Sequence, residues 1–584
     1  MSLLLASNRS TLFRIIIPNG ASASERWAAE ELSHTLNEIT GAYFPVEFPF
    51  MYRPIDKTNN IIIGHVPEAA KLGVLPDEAL GPEGYEIKEC GKNLVIAGGK
   101  PRGTLYGVFA LLEEDFGCRW YTPTLKHIPK RDTLVLSGAD RKFRPPLEYR
   151  DPYCVYDADW NARNRMNGSS SKMLYSKHGR SFKFCKNLNG HTLCRMIPSD
   201  EYFDSHPEYF ALIDGKRTKD GQYCLTSPGL LSLVKARARE WLAEDPDASA
   251  ISISQNDGYS PCECESCKKI DDGEQSYSGS LIWFLNEVAK DLEKDYPDIV
   301  ISTLAYRYTR PAPKNIKPHP AISVLMCSIE SCCGHPLAEC DAEPVYPDFM
   351  PEGPPSKNPF QRDLQDWAKI CGRIHIWDYK TNFAHYCMPF PNLDALKPNI
   401  DFYMANSVKG IFALGNYSVG GGPDFNELRS YLLAKLLWNP DCDVGKARSE
   451  FMAAYYGKAA PPLSRYLEAI HAKVRDGNIH FCCYSDFNIE YLDDALLSEA
   501  EALFDEAEAL ADNEDVLWRV RRSRMSVKFV RFGRRVVAGL ADAREIDAFL
   551  DEARGYGITQ ISEFQTMDLD RDMMVKENRL RPKH

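Results

Sequence analysis

The chain has 584 residues, of which 44% are hydrophobic and 26% charged, and its formal net charge at pH 7 is −12. This length predicts two or three domains, because one hydrophobic core stops growing beyond roughly 250–300 residues. The acidic balance argues against a nucleic-acid partner, which would need a basic face. No apolar run approaches the ~20 residues that cross a bilayer, so no membrane partner is expected. The N-terminus has neither a basic segment nor a long apolar run, which predicts no signal peptide and a cytoplasmic location.

Residues 1–140 predict a small α/β domain. The apolar runs 12–17 and 60–64 are typical of buried strands, and the paired runs near 85–87 and 93–98 predict a hairpin. Helical patterns follow residue 22 and residue 102, and Ser22 and Glu25 have the spacing of a capping box at the first of them. The domain contains no nucleophile or phosphate-binding loop.

From about residue 145 onward, strand and helix patterns alternate. Strand candidates begin near Leu147, Gly190, Gln222, Ala250, Val300, Ser323, Arg373 and Gly410. Eight strands over roughly 290 residues predict an α/β fold with one (β/α)8 TIM barrel over residues 141–430. Beyond it, apolar residues at helical spacing predict a C-terminal α-helical domain over residues 431–584, which packs against the barrel.

The segment Ala250–Gly258 is the strand on which the candidate site is centred. Alternation places Asn256 on the face of the strand that points to the barrel axis, so it reaches the barrel mouth by phase. Asp257 faces the mouth only if the strand bends, and Gly258 permits such a bend. The alternative is an Asn-Asp-Gly turn between ordinary elements.

Polar and aromatic residues are also predicted at the C-terminal ends of the other strands. They are Arg150, Asp151, His191, Tyr306, Tyr308, Glu330, Trp377, Asp378, Asn382, Asn416 and Tyr417. Aromatic rings stack on the apolar faces of sugars, and carboxylates and amides bind hydroxyl groups. The composition therefore predicts an oligosaccharide or glycan substrate and cleavage of a glycosidic bond by carboxyl groups. No Ser-His-Asp order, Walker loop or dinucleotide fingerprint supports another reaction.

Several of these residues also have a structural explanation. Asp151 could pair with Arg150, and His191 could be a hydrogen-bonded core histidine. If the face of the strand that carries Glu330 lines the barrel interior, Glu330 lies at the barrel mouth. Otherwise it is a buried ion-pair partner. The phase of the strand turns Asp378 away from the mouth, so that a local bend is needed to bring it there.

The chain contains 18 cysteines without a regular spacing, which predicts reduced thiols rather than a disulfide scaffold. Cys262, Cys264 and Cys267 follow the central strand closely enough to hold a structural zinc. The fourth ligand would come from elsewhere, such as Cys332 or Cys333. The alternative is a loop with free thiols or a disulfide. A metal here would brace the loop, so no cofactor is required for the reaction.

Two sets of motifs carry a resemblance to known families. Ser24–Leu32, Ile61–Gly64 and Gly103–Val108 are similar to the N-terminal domain of α-glucuronidases and β-N-acetylhexosaminidases, which is non-catalytic. The middle of the chain resembles the domain-of-unknown-function family 4838, which overlaps glycoside hydrolase family 163, endo-β-N-acetylglucosaminidases acting on N-glycans. Its motifs are Glu148–Asp151, His206–Phe210, Ser254–Gly258 with the cysteine loop, and His335–Pro336. The resemblance covers residues 10–475.

The resemblance implies a mechanism. Related barrels place two adjacent polar residues at the end of strand four. One orients the 2-acetamido group, whose carbonyl oxygen attacks the anomeric carbon, and the other is an acid that protonates the leaving oxygen. These residues would be Asn256 and Asp257, with Asp257 as the acid and later the base. The pair in glycoside hydrolase family 20 is Asp-Glu, so this sequence departs from it, and Glu330 is a second candidate for the acid.

We therefore predict a retaining β-N-acetylhexosaminidase, exo or endo, that uses substrate-assisted catalysis. One alternative is an α-glucuronidase-like enzyme in which Glu330 and Asp378 form the carboxyl pair and Arg150 binds a uronate. The other is a sugar-binding barrel without turnover, which would lack a carboxyl group with a perturbed pKa near its pocket. The sequence leaves open whether the protein forms a homo-oligomer.

Overall fold

The computed structural model describes residues 2–48, 59–153, 156–170, 173–345 and 359–580. The chain forms two compact units. The first contains residues 1–148, 156–181 and 437–442, and the second contains residues 149–155, 182–436 and 443–584. The division into domains 1–140, 141–430 and 431–584 stays a prediction, because one compact unit can hold more than one domain.

The first unit is built on a mixed sheet with helices. Its strands are β1 (Ser2–Ser7), β2 (Phe13–Ile16), β3 (Val46–Glu47), β4 (Asn59–Ile63), β5 (Tyr85–Cys90), β6 (Asn93–Gly98), β7 (Arg119–Trp120), β8 (Lys126–His127), β9 (Thr133–Ser137) and β10 (Arg141–Phe143). Its helices are α1 (Ala23–Thr40), α2 (Pro67–Lys71), α3 (Gly103–Ala110) and α4 (Ala158–Arg163). Six strands form one sheet in the order β10-β5-β6-β4-β2-β3.

The start of α1 shows how local sequence positions an element of this unit. The Ser22 hydroxyl accepts a bond from the Glu25 N–H (3.2 Å), and the Glu25 carboxylate accepts one from the Ser22 N–H (2.7 Å). The predicted capping box is confirmed. The helix ends at Gly41, whose φ of +71° lies in the left-handed region that glycine adopts without a steric cost.

The second unit is built on a parallel sheet that curls into a half-barrel. Its strands are β11 (Tyr149–Asp151), β12 (Leu212–Ile213), β13 (Lys216–Arg217), β14 (Ala250–Ser252), β15 (Val300–Ala305), β16 (Ile322–Cys327), β17 (Ile374–Tyr379) and β18 (Val408–Leu414). Six of them form the parallel sheet in the order β11-β18-β17-β16-β15-β14, and β12 and β13 form a separate hairpin.

A short segment lies between the two edge strands of this sheet. Phe184 forms an isolated parallel bridge with Ala250 on β14. The rings of Phe182 and Phe184 lie 5.2 and 5.6 Å from the ring of Tyr149 on β11. This segment therefore contacts both edges of the curled sheet, although it adds no strand to it.

The predicted strands near Gly190 and Gln222 are wrong. His191 has a φ of +51°, which is incompatible with an extended strand, and Tyr223 makes only one isolated bridge, to Phe210. The Gln222 side chain exchanges two 2.9 Å bonds with the main chain of Asn256. These polar segments satisfy their hydrogen bonds as loops, so the eight-stranded barrel is not formed in the described part of the chain.

Helices lie between the parallel strands in sequence, and further helices form the C-terminal part of the chain. They are α5 (Leu193–Met196), α6 (Ser199–Tyr202), α7 (Pro228–Glu244), α8 (Glu265–Glu274), α9 (Ser278–Leu292), α10 (Pro359–Ile370), α11 (Leu393–Ala405), α12 (Asn426–Trp438), α13 (Val444–Tyr456), α14 (Ala460–Asp476), α15 (Asp494–Leu510), α16 (Glu514–Val537), α17 (Ala543–Gly555) and α18 (Met567–Glu577). Consecutive parallel strands need such crossover connections. None of the helices in the described ranges is both long and apolar enough to cross a membrane.

Candidate active site

The six parallel strands of the second unit end at one edge, which we call the carboxyl edge. In open and closed parallel sheets this is the edge at which ligands bind. The residues that follow β11, β14, β15, β16, β17 and β18 decide which chemistry is present there.

Asn256, which follows β14, has both ends of its side-chain amide bonded to the main chain. Its Oδ1 accepts a bond from the Cys194 N–H (3.1 Å), and its Nδ2 donates to the Gly221 carbonyl (3.1 Å). The amide therefore joins three loops. It is not free to hold a 2-acetamido group, contrary to the prediction.

Asp257 lies at the rim of the carboxyl edge, with 62% of its side chain exposed. The predicted bend is present, since Gly258 has a φ of +132°. Nη2 of Arg307 lies 3.7 Å from the Asp257 carboxylate. The guanidinium itself lies over the rings of Tyr259 (5.4 Å) and Tyr306 (5.3 Å). A carboxylate that solvent reaches is thus placed beside an arginine and two aromatic rings.

Glu330 is buried, with 1% of the residue exposed. It forms an ion pair with Arg310, and Nε of Arg310 also donates to Asp363 (2.9 Å). The alternative prediction, a buried ion-pair partner, describes this residue. A carboxylate paired and buried in this way does not offer a proton to an open site, so the geometry does not support the catalytic role of Glu330, which stays a prediction.

Asp378 is also neutralised. Its carboxylate lies 2.6 Å from Nζ of Lys380 and accepts bonds from the hydroxyls of Tyr403 (3.0 Å) and Ser328 (3.1 Å). Tyr403 belongs to α11, so Asp378 faces a covering helix, as the phase of its strand predicts. The pair Glu330–Asp378, on which the α-glucuronidase-like alternative depends, therefore does not form an accessible carboxyl pair.

The predicted binding residues on β11 are buried, and the one near Gly190 is half-buried. Arg150 has no exposed surface (0%), so its assignment to a substrate uronate has no support from its burial and stays a prediction. Asp151 is buried and accepts a bond from the Tyr149 hydroxyl (3.2 Å). Nδ1 of His191 lies 3.0 Å from the Gln255 carbonyl, and its ring contacts that of Tyr306 (5.8 Å). The histidine is thus the hydrogen-bonded residue of the alternative prediction.

Two predicted amides hold loop backbone, Asn382 by joining two loops and Asn416 within its own loop. Asn382 donates to the Ser485 carbonyl (2.7 Å) and accepts from the His385 N–H (2.9 Å). Asn416 is buried, and its Oδ1 accepts bonds from both the N–H (3.0 Å) and the hydroxyl (2.6 Å) of Ser418. Neither amide oxygen is free for a substrate hydroxyl.

Trp377 keeps features of a sugar platform. It is half-buried at the end of β17, its ring is perpendicular to that of Phe412 at 4.9 Å and nearly parallel to that of Tyr379 at 6.5 Å. Its indole N–H has no hydrogen-bond partner among the described residues. A buried donor without a partner is unusual in a folded protein, and a ligand hydroxyl would satisfy it.

Glu563 is the residue that the sequence analysis missed. It lies between α17 and α18, and its N–H donates to the carbonyl of Phe383 beyond the end of β17 (2.8 Å). The Tyr417 hydroxyl, at the end of β18, donates to one carboxyl oxygen (3.0 Å), and the Tyr484 hydroxyl donates to the other (3.3 Å). The C-terminal region thus delivers a carboxyl group to the carboxyl edge.

The surroundings of Glu563 favour its protonated form. Burial raises the pKa of this carboxyl, and the rise exceeds the lowering caused by the two tyrosine hydroxyls. No cation forms an ion pair with it within the described ranges. A raised pKa shifts a carboxyl group toward its protonated form, which is the direction that a general acid needs.

Electrostatic effects on the tyrosines relate Glu563 to the other acids of the edge. Burial raises the pKa of Tyr153, and the carboxylates of Asp151 and Glu563 both add to that rise. Burial likewise raises the pKa of Tyr306, and Asp257 adds to it. The acids of the edge thus lie close enough to these two tyrosines to raise their pKa values.

The cysteine loop forms a cluster with a different fourth member from the one predicted. The sulfur atoms of Cys224, Cys262, Cys264 and Cys267 all lie within 4.8 Å of one another. The fourth residue is Cys224, so the suggestion of Cys332 or Cys333 is wrong. All the cysteines of the described chain are free thiols.

Comparisons with known proteins give two families and several solved structures. The family "Domain of unknown function (DUF4838)" matches residues 120–468, and "Glycosyl hydrolase family 67 N-terminus" matches residues 5–111. None of the curated proteins matches this chain. The predicted family 4838 is therefore confirmed, and the link to glycoside hydrolase family 163 stays a prediction.

The similar solved structures are glycoside hydrolases. A family 89 glycoside hydrolase from Clostridium perfringens is 11% identical with a TM-score of 0.46, over 91% of this chain and 64% of that one. A GH138 enzyme targeting pectin rhamnogalacturonan II is 11% identical with a TM-score of 0.43, over 96% and 94% of the two chains. A mutant Streptomyces plicatus beta-hexosaminidase is 13% identical with a TM-score of 0.40, over 78% and 92%.

Proposed function

This chain belongs to the family described as domain of unknown function DUF4838, and we propose that it is a glycoside hydrolase that cleaves a glycan at its carboxyl edge. One observation carries the proposal. The carboxyl group of Glu563, whose pKa burial raises, is held by two tyrosine hydroxyls at an edge that also carries Trp377 and the exposed Asp257. The match of residues 5–111 to the N-terminus of glycosyl hydrolase family 67 supports the same reaction class.

Glu563 is the proposed general acid. Cleavage of a glycosidic bond needs a carboxylic acid that protonates the leaving oxygen. The protonated carboxyl group of Glu563 would supply this proton, and burial, which raises its pKa, favours that form. When the proton leaves, the hydroxyls of Tyr417 and Tyr484 continue to donate to the carboxylate that forms and stabilise it. They also orient the carboxyl group before the reaction.

Asp257 is the proposed second acidic group. Its exposure at the rim and its distance of 3.7 Å from the Arg307 guanidinium support a carboxylate that a substrate reaches. This assignment differs from the prediction, in which Asp257 was the acid and Glu330 the second candidate.

The finer proposal is an N-acetylhexosaminide substrate whose 2-acetamido group supplies the nucleophile. Its support is the motif Ser254–Gly258 and the position of Asp257 in the loop that follows β14. Asp257, rather than the fully bonded Asn256, would accept the acetamido N–H and orient its carbonyl oxygen toward the anomeric carbon.

Aryl glycosides with and without a 2-acetamido group test both proposals, in the presence and absence of a thiazoline transition-state mimic. We expect cleavage confined to acetamido sugars and blocked by the mimic. Asp257→Asn should lose this activity, whereas Asp200→Asn, at an exposed ion pair with Lys219, should keep it. Equal cleavage of plain glycosides, insensitive to the mimic, would overturn the acetamido mechanism. If calorimetry detects binding of oligosaccharides and no cleavage occurs, the proposal that the protein is a glycosidase would be overturned.

We also propose that the cysteine cluster holds a structural zinc ion. The sulfur atoms of Cys224 and Cys264 are 3.7 Å apart, and four thiolates around a tetrahedral zinc would be separated by about 3.8 Å. The Leu212 N–H donates to the sulfur of Cys262 (3.3 Å), which stabilises a thiolate. Zinc would brace the loop that follows Asp257. Metal analysis should find that the Cys264→Ser variant holds one equivalent of zinc less than the native chain. An equal zinc content in the two proteins would contradict the proposal.

A further inference from the structure

A second cluster of sulfur and imidazole groups lies in the second unit. Cys332, His335 and Cys340 follow β16, and His480 follows α14. Their four ligand atoms lie within 4.8 Å of one another. The sulfur of Cys332 is 3.4 Å from Nδ1 of His335, and the sulfur of Cys340 is 3.7 Å from Nδ1 of His480.

These distances match the edges of a zinc tetrahedron. With zinc–sulfur bonds of about 2.3 Å and zinc–nitrogen bonds of about 2.0–2.1 Å, the sulfur and nitrogen atoms are separated by about 3.6 Å. Two sulfur and two nitrogen ligands in tetrahedral order are typical of zinc. Each sulfur faces an imidazole nitrogen, and the two imidazole rings lie 4.6 Å apart.

The backbone allows the two segments that carry these ligands to lie close together. The Cys333 N–H donates to the Phe481 carbonyl (2.8 Å), which joins the loop after β16 to the segment after α14. A Cβ atom on Gly334 would lie 2.4 Å from Cε1 of Phe481, a distance that atoms cannot adopt. Glycine at position 334 therefore permits the two segments to lie in direct contact, independently of the side chains of the cluster.

We propose that Cys332, His335, Cys340 and His480 bind a second zinc ion, separate from the four-cysteine site. Four protein ligands close the coordination shell, so this metal is structural rather than catalytic. Cys333, which neighbours Cys332, is not a ligand, because its sulfur points to the carbonyls of Ser331 (3.8 Å) and Tyr379 (4.0 Å).

The metal would fix a segment of the carboxyl edge. After His480 the chain passes through Cys483, whose carbonyl accepts the Phe383 N–H (2.7 Å). It then reaches Tyr484, whose hydroxyl donates to Glu563. Zinc would thus join the end of β16 to the segment that positions Tyr484, and its removal should loosen residues 328–340 and 478–485 together.

Metal analysis of the full-length chain, produced with zinc and without a chelator, tests the proposal. We expect two equivalents of zinc in the native chain, one in Cys340→Ser and in His480→Gln, and one in Cys264→Ser. The matched control Cys333→Ser should keep both equivalents. Native protein with no more zinc than the Cys340→Ser variant, or a Cys332–Cys340 disulfide in the freshly purified chain, would overturn the second site.

A spectroscopic measurement covers the case in which Cys340→Ser does not fold. Cobalt is loaded into the Cys264→Ser variant, which retains all four ligands of the second site. Absorption bands of tetrahedral cobalt with thiolate charge transfer are expected. Hydrogen exchange of the same protein should rise in residues 328–340 and 478–485 after the metal is removed. Cobalt bands that are absent, or exchange that does not change, would contradict the proposal.

Discussion

Two kinds of acidic residue lie near the carboxyl edge of the second unit, and they differ in what surrounds them. Glu330 and Asp378 are buried beside Arg310 and Lys380, which neutralise them. Glu563 is held by two neutral tyrosine hydroxyls, and its raised pKa results from burial without a cation. Position at the end of a strand is therefore not sufficient for catalysis. The partner decides whether a carboxyl group is a fixed charge of the core or a group that exchanges a proton.

The largest expected effect concerns the buried ion pairs. Arg310→Met leaves Glu330 without its cation and Asp363 with Arg362 alone, and breaking a buried pair in this way costs about 3–5 kcal/mol in the free energy of unfolding. Chemical denaturation measures this loss. Arg465→Met is the control, because Arg465 pairs with Glu506 at the surface, and it should change the stability by about 1 kcal/mol or less. Equal losses in the two variants would remove the distinction between the carboxyl groups.

A second prediction extends the comparison to a buried carboxyl without a cation. Asp570 is 0% exposed and accepts a bond from the Ser562 hydroxyl (2.8 Å), and burial raises its pKa to about 7. The folded-state pKa lies above the unfolded value of about 3.9, so its contribution to stability is complete below pH of about 4 and is lost as pH rises through about 7. The total is about 4 kcal/mol.

Asp570→Asn should remove this dependence, so that the stability of the variant relative to the native chain grows between pH 4 and 7. Thermal unfolding across that range measures it. Asp568→Asn, at a neighbouring exposed ion pair with Arg554, is the control and should give a constant difference. A constant difference for Asp570→Asn as well would contradict the raised pKa.

The smallest expected effect sharpens the assignment of Glu563. Tyr484→Phe removes one of the two hydrogen bonds that lower the pKa of Glu563, so the pKa should rise further. The alkaline limb of kcat/KM should then move to higher pH. Tyr403→Phe removes a hydroxyl that donates to the ion-paired Asp378, and it should leave the limb in place. A shift to lower pH, or the same shift in both variants, would argue against Glu563 as the acid.

Local patterns in the sequence predicted much of the fold. The capping box at Ser22 and the strands that became β14 to β18 are confirmed, because hydrophobic periodicity and capping depend on neighbouring residues. The bend at Gly258 is confirmed for the same reason. The strands expected near Gly190 and Gln222 failed, because hydrogen bonds to the distant residue Asn256 hold that region as loops.

The site itself depends on contacts between distant parts of the chain. Glu563 meets Tyr417 across 146 residues, and Cys224 meets Cys264 across 40. No spacing rule connects such pairs. The structure places Glu563 between α17 and α18, next to Phe564, an exposed aromatic residue with a φ of +60°, and the sequence analysis singled out neither residue. The sequence pattern likewise could not predict the partners of Glu330 and Asp378, which decide the roles of these two residues.

The leaving-group dependence of Glu563→Gln tests the central claim most directly. A series of aryl glycosides with leaving groups from acidic to weakly acidic phenols is compared between the native chain and this variant. If Glu563 protonates the leaving oxygen, the variant should lose about 10²–10⁴-fold in kcat/KM on the least acidic phenols and almost nothing on the most acidic ones. A loss of the same size across the whole series, or no loss at all, would contradict the account.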